Sequence, residues 1–229
     1  MTEVDLANQA ALQKKLREHW PELDLLGEEM TAAEQETRMA SHSQGLWIVD
    51  PLDGTSNFTA GIPYFAVSVA LYIEGQIRLG VVYDPNRDEA FAATDTTETT
   101  LNGKPLQRAP TPEKLSQTIG VIDFKRLSPE LATRIATQQP FASQRSFGSV
   151  ALDWCWLASN RFHIYLHGCS NIWDYAAGEL IFRRAGGNSC TLEGEPVFQA
   201  SVTPRSAVGA LDQKHFESWT DFLGVKISR

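Results

Sequence analysis

The sequence predicts an α+β fold in which sheets and helices pack as layers. Two observations support this: a β-meander across residues 65–94, and a second half in which helical and strand-like patterns alternate. In the meander, hydrophobic residues alternate with smaller ones, and turns at Glu74-Gly75 and Asp84-Pro85-Asn86 separate the strands. A meander followed by mixed elements favours layered packing over a βαβ dinucleotide-binding domain. No repeat or linker interrupts the 229 residues, so we expect one domain with halves of about 1–125 and 126–229.

The first half is expected to begin with helices and to continue as strands. Residues 6–20 carry leucine and tryptophan at four-residue spacing between basic residues, which predicts an amphipathic helix ending at Pro21. Thr31 and Glu34 have the spacing of a capping box, which predicts a second, shorter helix. A brief apolar strand at residues 46–49 then runs directly into an acidic loop.

The second half is expected to alternate between helices and strands. Helical patterns cover residues 129–138, 149–159 and 175–185. The last of these ends at a Gly-Gly pair, which suits a helix C-terminus. Strand patterns cover residues 162–166, 189–192 and 207–210, and a final helix begins near Lys214.

Composition limits the classes of function. The chain has 20 basic and 28 acidic residues, a formal net charge of -8 and a pI of about 5.1. Binding to a phosphate backbone needs a basic face, so nucleic acid is not an expected partner. No apolar run approaches the roughly 18 residues of a membrane span, and the N-terminus lacks the segments of a secretion signal. The three cysteines form no CxxC pair and are expected to be free thiols in the cytoplasm.

The strongest chemical signal is the motif Asp50-Pro51-Leu52-Asp53-Gly54-Thr55-Ser56-Asn57-Phe58. An apolar strand delivers two carboxylates, three residues apart, into a loop that proline stiffens. Because proline has no amide hydrogen to donate, neighbouring carbonyl groups are available as ligands. Carboxylates and a carbonyl suit Mg²⁺ or Mn²⁺, and Gly54-Thr55 offers N–H groups to a phosphate. The alternative is an Asx-type turn in which both aspartates only cap the backbone.

Two further acidic residues border apolar segments. Glu28 follows the pair Leu25-Leu26, and Asp174 opens a predicted helix. Considered alone, Glu28 is typical of a solvated charge and Asp174 of an ordinary helix N-cap. If both met Asp50 in one cleft, the cluster could not stay ionised without cations.

The sequence resembles the inositol monophosphatase family of Mg²⁺-dependent, lithium-sensitive sugar and polyol phosphatases. Three family motifs occur in order: Gly27-Glu28-Glu29, then the segment from Trp47 to Phe58, then Trp173-Asp174-Tyr175-Ala176-Ala177-Gly178 with Ala185-Gly186-Gly187. The resemblance implies a layered αβαβα sandwich of the inositol monophosphatase/fructose-1,6-bisphosphatase type, usually a cytoplasmic homodimer. The family has further helices before the position of Asp5, so the first N-terminal helices are expected to be missing here.

The resemblance also implies a role for each residue of the motifs. Metal ligands would be the side chains or carbonyl groups of Glu28, Asp50, Leu52, Asp53 and Asp174, with Asp50 between two ions. Catalysis would use Glu28 and Thr55, with Asp5 and Thr55 orienting the nucleophilic water. Gly54 and Thr55 would face the phosphate. Substrate contacts would come from Asp53, Gly148, Ser149, His167 and Asp174.

The implied activity is hydrolysis of a small polyol or sugar phosphate by metal-activated water, without a phosphoenzyme. Mg²⁺ would be the cofactor, Mn²⁺ could replace it, and Li⁺ and Ca²⁺ would inhibit. The expected partner is a small-molecule phosphate ester. The alternatives are fructose 1,6-bisphosphate or a nucleotide 3′-phosphate as substrate, or a non-catalytic regulatory member of the family.

One site residue departs from the family pattern. His167 falls where inositol phosphatases often carry a glutamate that hydrogen-bonds substrate hydroxyls, so inositol selectivity does not follow from the resemblance. His167 could also form a zinc site with His163 and Cys169. Zinc usually has three or four soft ligands, and no fourth ligand is spaced nearby.

Overall fold

The protein forms two β-sheets and seven α-helices within the residues that its computed structural model describes, 2–41 and 44–227. The helices are α1 (Glu3–His19), α2 (Ala32–Ser41), α3 (Thr55–Ala60), α4 (Pro129–Thr137), α5 (Val150–Ala158), α6 (Ile172–Arg184) and α7 (Gln213–Leu223). The strands are β1 (Asp24–Gly27), β2 (Leu46–Asp53), β3 (Ala66–Ile73), β4 (Gln76–Asp84), β5 (Glu89–Thr94), β6 (Thr100–Leu101), β7 (Lys104–Pro105), β8 (Ile119–Asp123), β9 (Ser143–Arg145), β10 (Ile164–Ser170), β11 (Asn188–Cys190) and β12 (Arg205–Ala210). No helix in this part of the chain is both long enough and apolar enough to cross a membrane.

The first sheet contains β1 to β7 in sequence order. β1 pairs with β2 in parallel, and the pairs from β2 to β7 are antiparallel. The predicted meander is present as β3, β4 and β5. The strand predicted at residues 46–49 is longer than expected, because β2 continues through Pro51 to Asp53. The acidic motif is therefore carried by the end of a strand and not by a loop.

The second sheet has the order β11-β12-β10-β8-β9. The strand predicted at residues 162–166 begins and ends later, because pairing of β10 with β12 continues to Ser170 across an irregular register. His167 therefore lies inside this strand. β8 was not predicted: its central residues are buried, so the apolar–polar alternation that reveals a half-exposed strand is absent.

Hydrophobic clusters on both faces of each sheet define five layers. Leu12 and Leu16 of α1 pack with Trp47 on the outer face of the first sheet. The largest cluster joins the inner faces of the two sheets through α5 and α6. On the outer face of the second sheet, Ile135 of α4 and Trp219 of α7 are fully buried. The layers run helix, sheet, helix, sheet, helix, which confirms the expected αβαβα arrangement.

The close approach of α6 to β4 depends on a glycine. A Cβ atom at Gly80 would lie 2.6 Å from the carbonyl oxygen of Ala177, a backbone atom that cannot rotate away. We expect Gly80→Ala to lower the free energy of unfolding by about 1–3 kcal/mol, since overpacking forces the backbone to shift. Urea denaturation measures this, and an unchanged midpoint would show that α6 can move away from the sheet without cost.

Candidate active site

Asp50 and Asp53 lie where the pairing of β2 with β3 is broken. The register is regular up to Asp50 and then shifts before Asp53 pairs with Ala66. Side chains three residues apart point to opposite faces of a regular strand, so this irregularity at Pro51 allows both carboxylates to serve one site. Leu52 N donates a 2.9 Å hydrogen bond to Asp50 Oδ1, which fixes the first carboxylate.

Four carboxylates form an electrostatically coupled cluster: Glu28, Asp50, Asp53 and Asp174. Asp50 is only 1% exposed. Burial raises the pKa of Asp50 well above its ordinary value, and the charges of the other three acids add to the rise. Burial likewise raises the pKa of Glu28 to about 7, with further contributions from neighbouring acids. For Asp174, burial and the charge of Asp53 raise the pKa well above its ordinary value. Such a cluster requires either protons or cations.

Ser149 and the start of α5 hold Asp53. Ser149 Oγ donates a 2.7 Å hydrogen bond to Asp53 Oδ2, and Ala151 N donates another of 2.6 Å to the same oxygen. These bonds leave Oδ1 as the candidate ligand atom. Burial raises the pKa of Asp53 above its ordinary value although these hydrogen bonds oppose the rise.

Asp174 is the third residue of α6 and not its N-cap. The predicted helix start at Tyr175 was too late, because Asn171 is the N-cap and the helix begins at Ile172. Asn171 N donates a 2.8 Å hydrogen bond to Asp174 Oδ2 as part of a capping box. The alternative in which Asp174 serves only to cap the helix is thus partly correct. The capping box orients the Asp174 carboxylate, and this carboxylate also belongs to the acidic cluster.

Glu28 is positioned by a residue that sequence reasoning missed. Gln35 of α2 is buried, and its Nε2 donates hydrogen bonds of 3.1 Å to the carbonyl oxygens of both Gly27 and Glu28. The carboxyl groups of Glu28 and Asp50 also influence each other's pKa. A glutamine inside a polar helix carries no signal that would have identified this role.

Thr55 begins α3 directly after the left-handed residue Gly54, whose φ is 97°. A Cβ atom at Gly54 would lie 3.1 Å from the carbonyl oxygen of Tyr64, so the turn needs glycine for both conformation and space. Thr55 Oγ1 lies 3.1 Å from Asp5 Oδ1 and 3.1 Å from the Leu52 carbonyl oxygen. Because a hydroxyl group has one hydrogen, it can donate to only one of these acceptors at a time.

Asp5 is fully buried and belongs to the first turn of α1. The prediction of a helix starting near residue 6 was wrong at this end, because Thr2 caps the helix and donates its backbone N–H to the Asp5 carboxylate. Burial acts to raise the pKa of Asp5, but hydrogen bonds from Thr2 and Thr55 outweigh it and lower that pKa. The pKa of Asp5 is therefore shifted in the opposite direction from the pKa values of the four clustered acids.

A polar cleft of about 320 Å³ lies beside this cluster and extends to the second sheet. Four of the five expected substrate-contact residues line it: Gly148, Ser149, His167 and Asp174. Ser149 is fully buried and bonded to Asp53, so it acts first as a support for that carboxylate. A larger cavity, of about 550 Å³, lies between α6 and residues 194–198 and contains none of the predicted site residues.

His167 contacts an acid of the neighbouring strand. His167 Nε2 lies 2.9 Å from Asp123 Oδ2, where β8 and β10 run in parallel. The backbone N–H of Cys169 donates to His167 Nδ1 at 3.3 Å. His163 Nδ1 instead accepts from Ile119 N at 2.9 Å. Both histidines are thus committed to other partners, which disfavours the zinc alternative.

The donor set fits a hard cation. Across residues 2–41 and 44–227, no three His, Cys, Asp or Glu side chains are closed into a group that could hold a metal ion as they stand. The available donors are nevertheless carboxylate oxygens together with the Leu52 carbonyl, the ligand chemistry of Mg²⁺ and Mn²⁺. Their mutual repulsion would be relieved by bound positive charge.

Four charged residues of the cleft were not predicted: Asp123, Lys125, Arg126 and Asp153. Asp123 ends an apolar run, which is the same strand-to-acid pattern that identified Asp50, so a signal was present in the sequence. Asp153 lies among apolar residues of α5, where Tyr64 OH donates to its Oδ1 at 2.9 Å. Burial raises the pKa of Asp153 well above its ordinary value.

Sequence comparison finds relatives over most of the chain. The profile described as "Inositol monophosphatase family" matches residues 1–219. The protein named Nus factor SuhB from Pasteurella multocida is 36% identical over 199 residues, which cover 85% of this chain and 72% of that protein. Inositol monophosphatase 1 from Solanum lycopersicum is 37% identical over 193 residues, which cover 82% of this chain and 70% of that protein.

Solved structures share the fold. Inositol monophosphatase II from Staphylococcus aureus MSSA476 superposes with a TM-score of 0.83 at 29% identity, over 96% of this chain and 83% of that chain. Crystal structures of inositol monophosphate bound SaIMPase-II and 2′AMP bound SaIMPase-II give TM-scores of 0.81 and 0.84 at 28% identity. They cover 96% and 97% of this chain, and 83% and 84% of the respective chains.

Proposed function

We propose, since this chain belongs to the inositol monophosphatase family, that it is a metal-dependent phosphomonoesterase acting on a small polyol or sugar phosphate. The observation that carries this proposal is the cluster of four mutually repelling carboxylates beside the Thr55–Asp5 pair. Structural stability alone does not explain such a cluster, because every member that stays charged opposes the burial of the others.

Glu28, Asp50, Asp53, Asp174 and the Leu52 carbonyl would hold the metal. When bound there, Mg²⁺ supplies a water molecule of lowered pKa and positive charge for the leaving oxygen. Asp53 and Asp174 are pre-oriented for this purpose by backbone hydrogen bonds to one oxygen each. Their ligand positions are therefore fixed before substrate arrives.

The Thr55–Asp5 pair would orient the attacking water. Because Asp5 is held ionised, it is a stronger acceptor than the neutral Leu52 carbonyl, so the Thr55 hydroxyl donates to Asp5. The lone pairs of Thr55 Oγ1 are then available to accept a hydrogen from water, which turns an oxygen lone pair of that water towards the phosphorus. The Gly54-Thr55 turn presents backbone N–H groups to the phosphate oxygens.

A substrate panel tests the assignment. We expect Mg²⁺-dependent phosphate release from at least one of inositol 1-phosphate, fructose 1,6-bisphosphate, glycerol 2-phosphate, adenosine 2′-monophosphate or adenosine 3′,5′-bisphosphate, and no release in EDTA. Two SaIMPase-II complexes, with inositol monophosphate and with 2′AMP, support this choice of esters. If purified protein releases no phosphate from any ester with Mg²⁺ or Mn²⁺, the catalytic proposal fails and a binding role would replace it.

Asp5→Asn should lower kcat by about 100-fold, within the range that a positioned proton acceptor contributes. The neutral amide retains an oxygen for Thr55 but no longer enforces the direction of the hydroxyl hydrogen. Glu3→Gln is the matched control, since it removes a charge from the same first turn of α1 at an exposed position. Steady-state kinetics measure kcat for both variants. If Asp5→Asn had the same kcat as Glu3→Gln and wild type, a role for Asp5 in orienting water would be excluded.

A further inference from the structure

A cavity of about 550 Å³ lies at the C-terminal end of α6, away from the candidate active-site cleft. Its walls include Leu180 and Arg184 of α6, Ile77 at the start of β4, and the loop at residues 194–198. Arg184 follows Asp174 by ten residues in the same helix, a separation of about 15 Å along the helix axis. Among the residues that the structure describes, none lines both this cavity and the cleft. The two are therefore separate candidate sites.

Much of the cavity wall is apolar, and the volume suits a small organic molecule. Ile77, Leu180 and Val197 of this wall belong to the hydrophobic core. Phe198 is partly buried and Ile227 is exposed, and both also line the cavity. Pockets that bind small molecules have volumes of roughly 300–1,000 Å³, mainly apolar walls and a few polar groups that orient the ligand. An apolar ligand body would cover the exposed surface of Phe198 and Ile227.

The acidic residues of the cavity wall are already paired. Each carboxylate lies 2.9 Å or less from an arginine nitrogen, in the pairs Glu179–Arg183, Asp95–Arg78 and Glu195–Arg205. A cationic ligand would have to compete with these arginines for the same carboxylate oxygens. The wall therefore does not favour a cation.

Arg184 differs from the other arginines around the cavity. Its Nε donates a 2.7 Å hydrogen bond to the carbonyl oxygen of Thr97. Within residues 2–41 and 44–227, no carboxylate pairs with Arg184. The side chain is half-buried, and its two terminal nitrogens remain as donors for a ligand. The wall thus presents one unneutralised positive charge, which favours an anion.

The loop at residues 194–198 is fixed before any ligand binds. Gly194 has a left-handed φ of 81°, and a Cβ atom there would collide with the carbonyl oxygen of Lys226. Arg205 Nη2 donates hydrogen bonds of 2.7 Å to the Glu195 carboxylate and of 3.1 Å to the Pro196 carbonyl oxygen. A wall that is already ordered lowers the entropic cost of binding a ligand.

We propose that this cavity binds a small organic acid, with the carboxylate on Arg184 and the apolar body against Leu180, Val197 and Phe198. A guanidinium group offers a carboxylate two parallel donors in one plane. One unneutralised cation matches one negative charge. The apolar wall disfavours a sugar, because its hydroxyl groups would lose hydrogen bonds to water without replacement. The site does not depend on the proposed phosphatase function.

Two probes of the same shape test this inference. Naphthalene-1-acetate carries a carboxylate, and naphthalene-1-acetamide is its neutral amide. Isothermal titration calorimetry of the full chain at pH 8 in EDTA measures both dissociation constants. We expect the acid to bind at least about tenfold more tightly than the amide, since a hydrogen bond to a charged group contributes about one order of magnitude or more. No binding of the acid, or equal binding of both probes, would overturn the proposal.

Variants locate the bound acid. Arg184→Gln should abolish the preference for the acid, and Arg184→Lys should restore part of it because the charge returns. Arg126→Gln is the matched control, since it removes a cation from the active-site cleft and should leave the preference unchanged. A preference that survives in Arg184→Gln but disappears in Arg126→Gln would place the acid in the cleft and overturn the proposal.

A second variant keeps the test valid if Arg184→Gln does not fold, which its melting temperature shows. Gln76 is an exposed residue of the same cavity wall. Gln76→Trp should weaken binding of both probes by occupying part of the cavity. Unchanged affinity for both probes in this variant would also overturn the proposal.

Discussion

Asp50→Asn is expected to reduce phosphate release by about a thousandfold, equal to roughly 4 kcal/mol of transition-state stabilisation. Asp50 is the most buried member of the acidic cluster, and three other carboxylates act on its charge. An asparagine keeps the oxygen that accepts the hydrogen bond from Leu52 N. It loses the negative charge that the proposed metal ligand needs, so the defect should appear in catalysis and not in folding.

Stability measurements distinguish a loss of catalysis in Asp50→Asn from a loss of folding. Without divalent metal at pH 8, Asp50→Asn should melt at the same temperature as wild type or higher, because it removes a buried charge that its neighbours repel. Asp221→Asn, an exposed aspartate on α7, should change neither activity nor melting temperature. Undiminished Mg²⁺-dependent turnover in Asp50→Asn would show that the carboxylate cluster is not the catalytic centre.

The acidic motif could be predicted because its signal is local. An apolar strand, a proline and two aspartates three residues apart lie within the eight consecutive residues Leu46–Asp53. What the sequence did not reveal is the register break that places both carboxylates in one site. That break depends on pairing with β3, which is decided by residues on another strand.

The start of α1 was missed although its signal was present. Thr2 and Asp5 have the spacing of a capping box, the same pattern that correctly identified the start of α2 at Thr31 and Glu34. The hydrophobic spacing that located the helix begins only further along the chain. Asp5 was therefore assigned through the family resemblance, and its burial and its contact with Thr55 could come only from the fold.

The cleft wall that belongs to the second sheet could not be predicted from the sequence, for a physical reason. His167 and Asp123 are 44 residues apart and meet because β8 and β10 pair in parallel. Parallel pairing depends on the crossover connection between the two strands. Residue spacing within either strand therefore cannot predict which residues will lie side by side. Lys125 and Arg126 reach the cleft because they follow β8, which explains why the sequence alone did not single them out.

The stability of the metal-free protein is expected to fall as pH rises through the range from about 4.5 to about 7. Glu28 has an ordinary pKa of 4.5 and a folded-state pKa of about 7, raised chiefly by burial. The folded state therefore binds more protons than the unfolded state between these values, so the free energy of unfolding decreases with increasing pH. Below about pH 4.5 this loss is absent, and above about pH 7 it is complete. Asp50 and Asp174 act in the same direction.

Divalent metal should reverse this dependence. Binding requires deprotonated carboxylates, so Mg²⁺, Mn²⁺ or Ca²⁺ should stabilise the protein more at pH 8 than at pH 5. At a concentration 100 times the dissociation constant, the gain is about 2.7 kcal/mol by mass action. We expect a clear rise in melting temperature at pH 8, and Asp174→Asn should weaken it by removing one ligand. Ca²⁺ should stabilise without supporting turnover, since its larger coordination shell positions water less strictly than octahedral Mg²⁺.

Differential scanning calorimetry at pH 5 and pH 8, with EDTA or with millimolar metal, provides the decisive comparison. The four conditions separate a metal site from a merely buried acidic cluster, because protonation and metal binding relieve the same repulsion but have opposite pH dependence. Asp221→Asn again serves as the control, since it removes an exposed carboxylate from α7. A melting temperature at pH 8 that does not respond to divalent metal would show that Glu28, Asp50, Asp53 and Asp174 do not bind an ion together. Protons alone would then relieve the repulsion among these acids, and hydrolysis by metal-activated water would be excluded for this cleft.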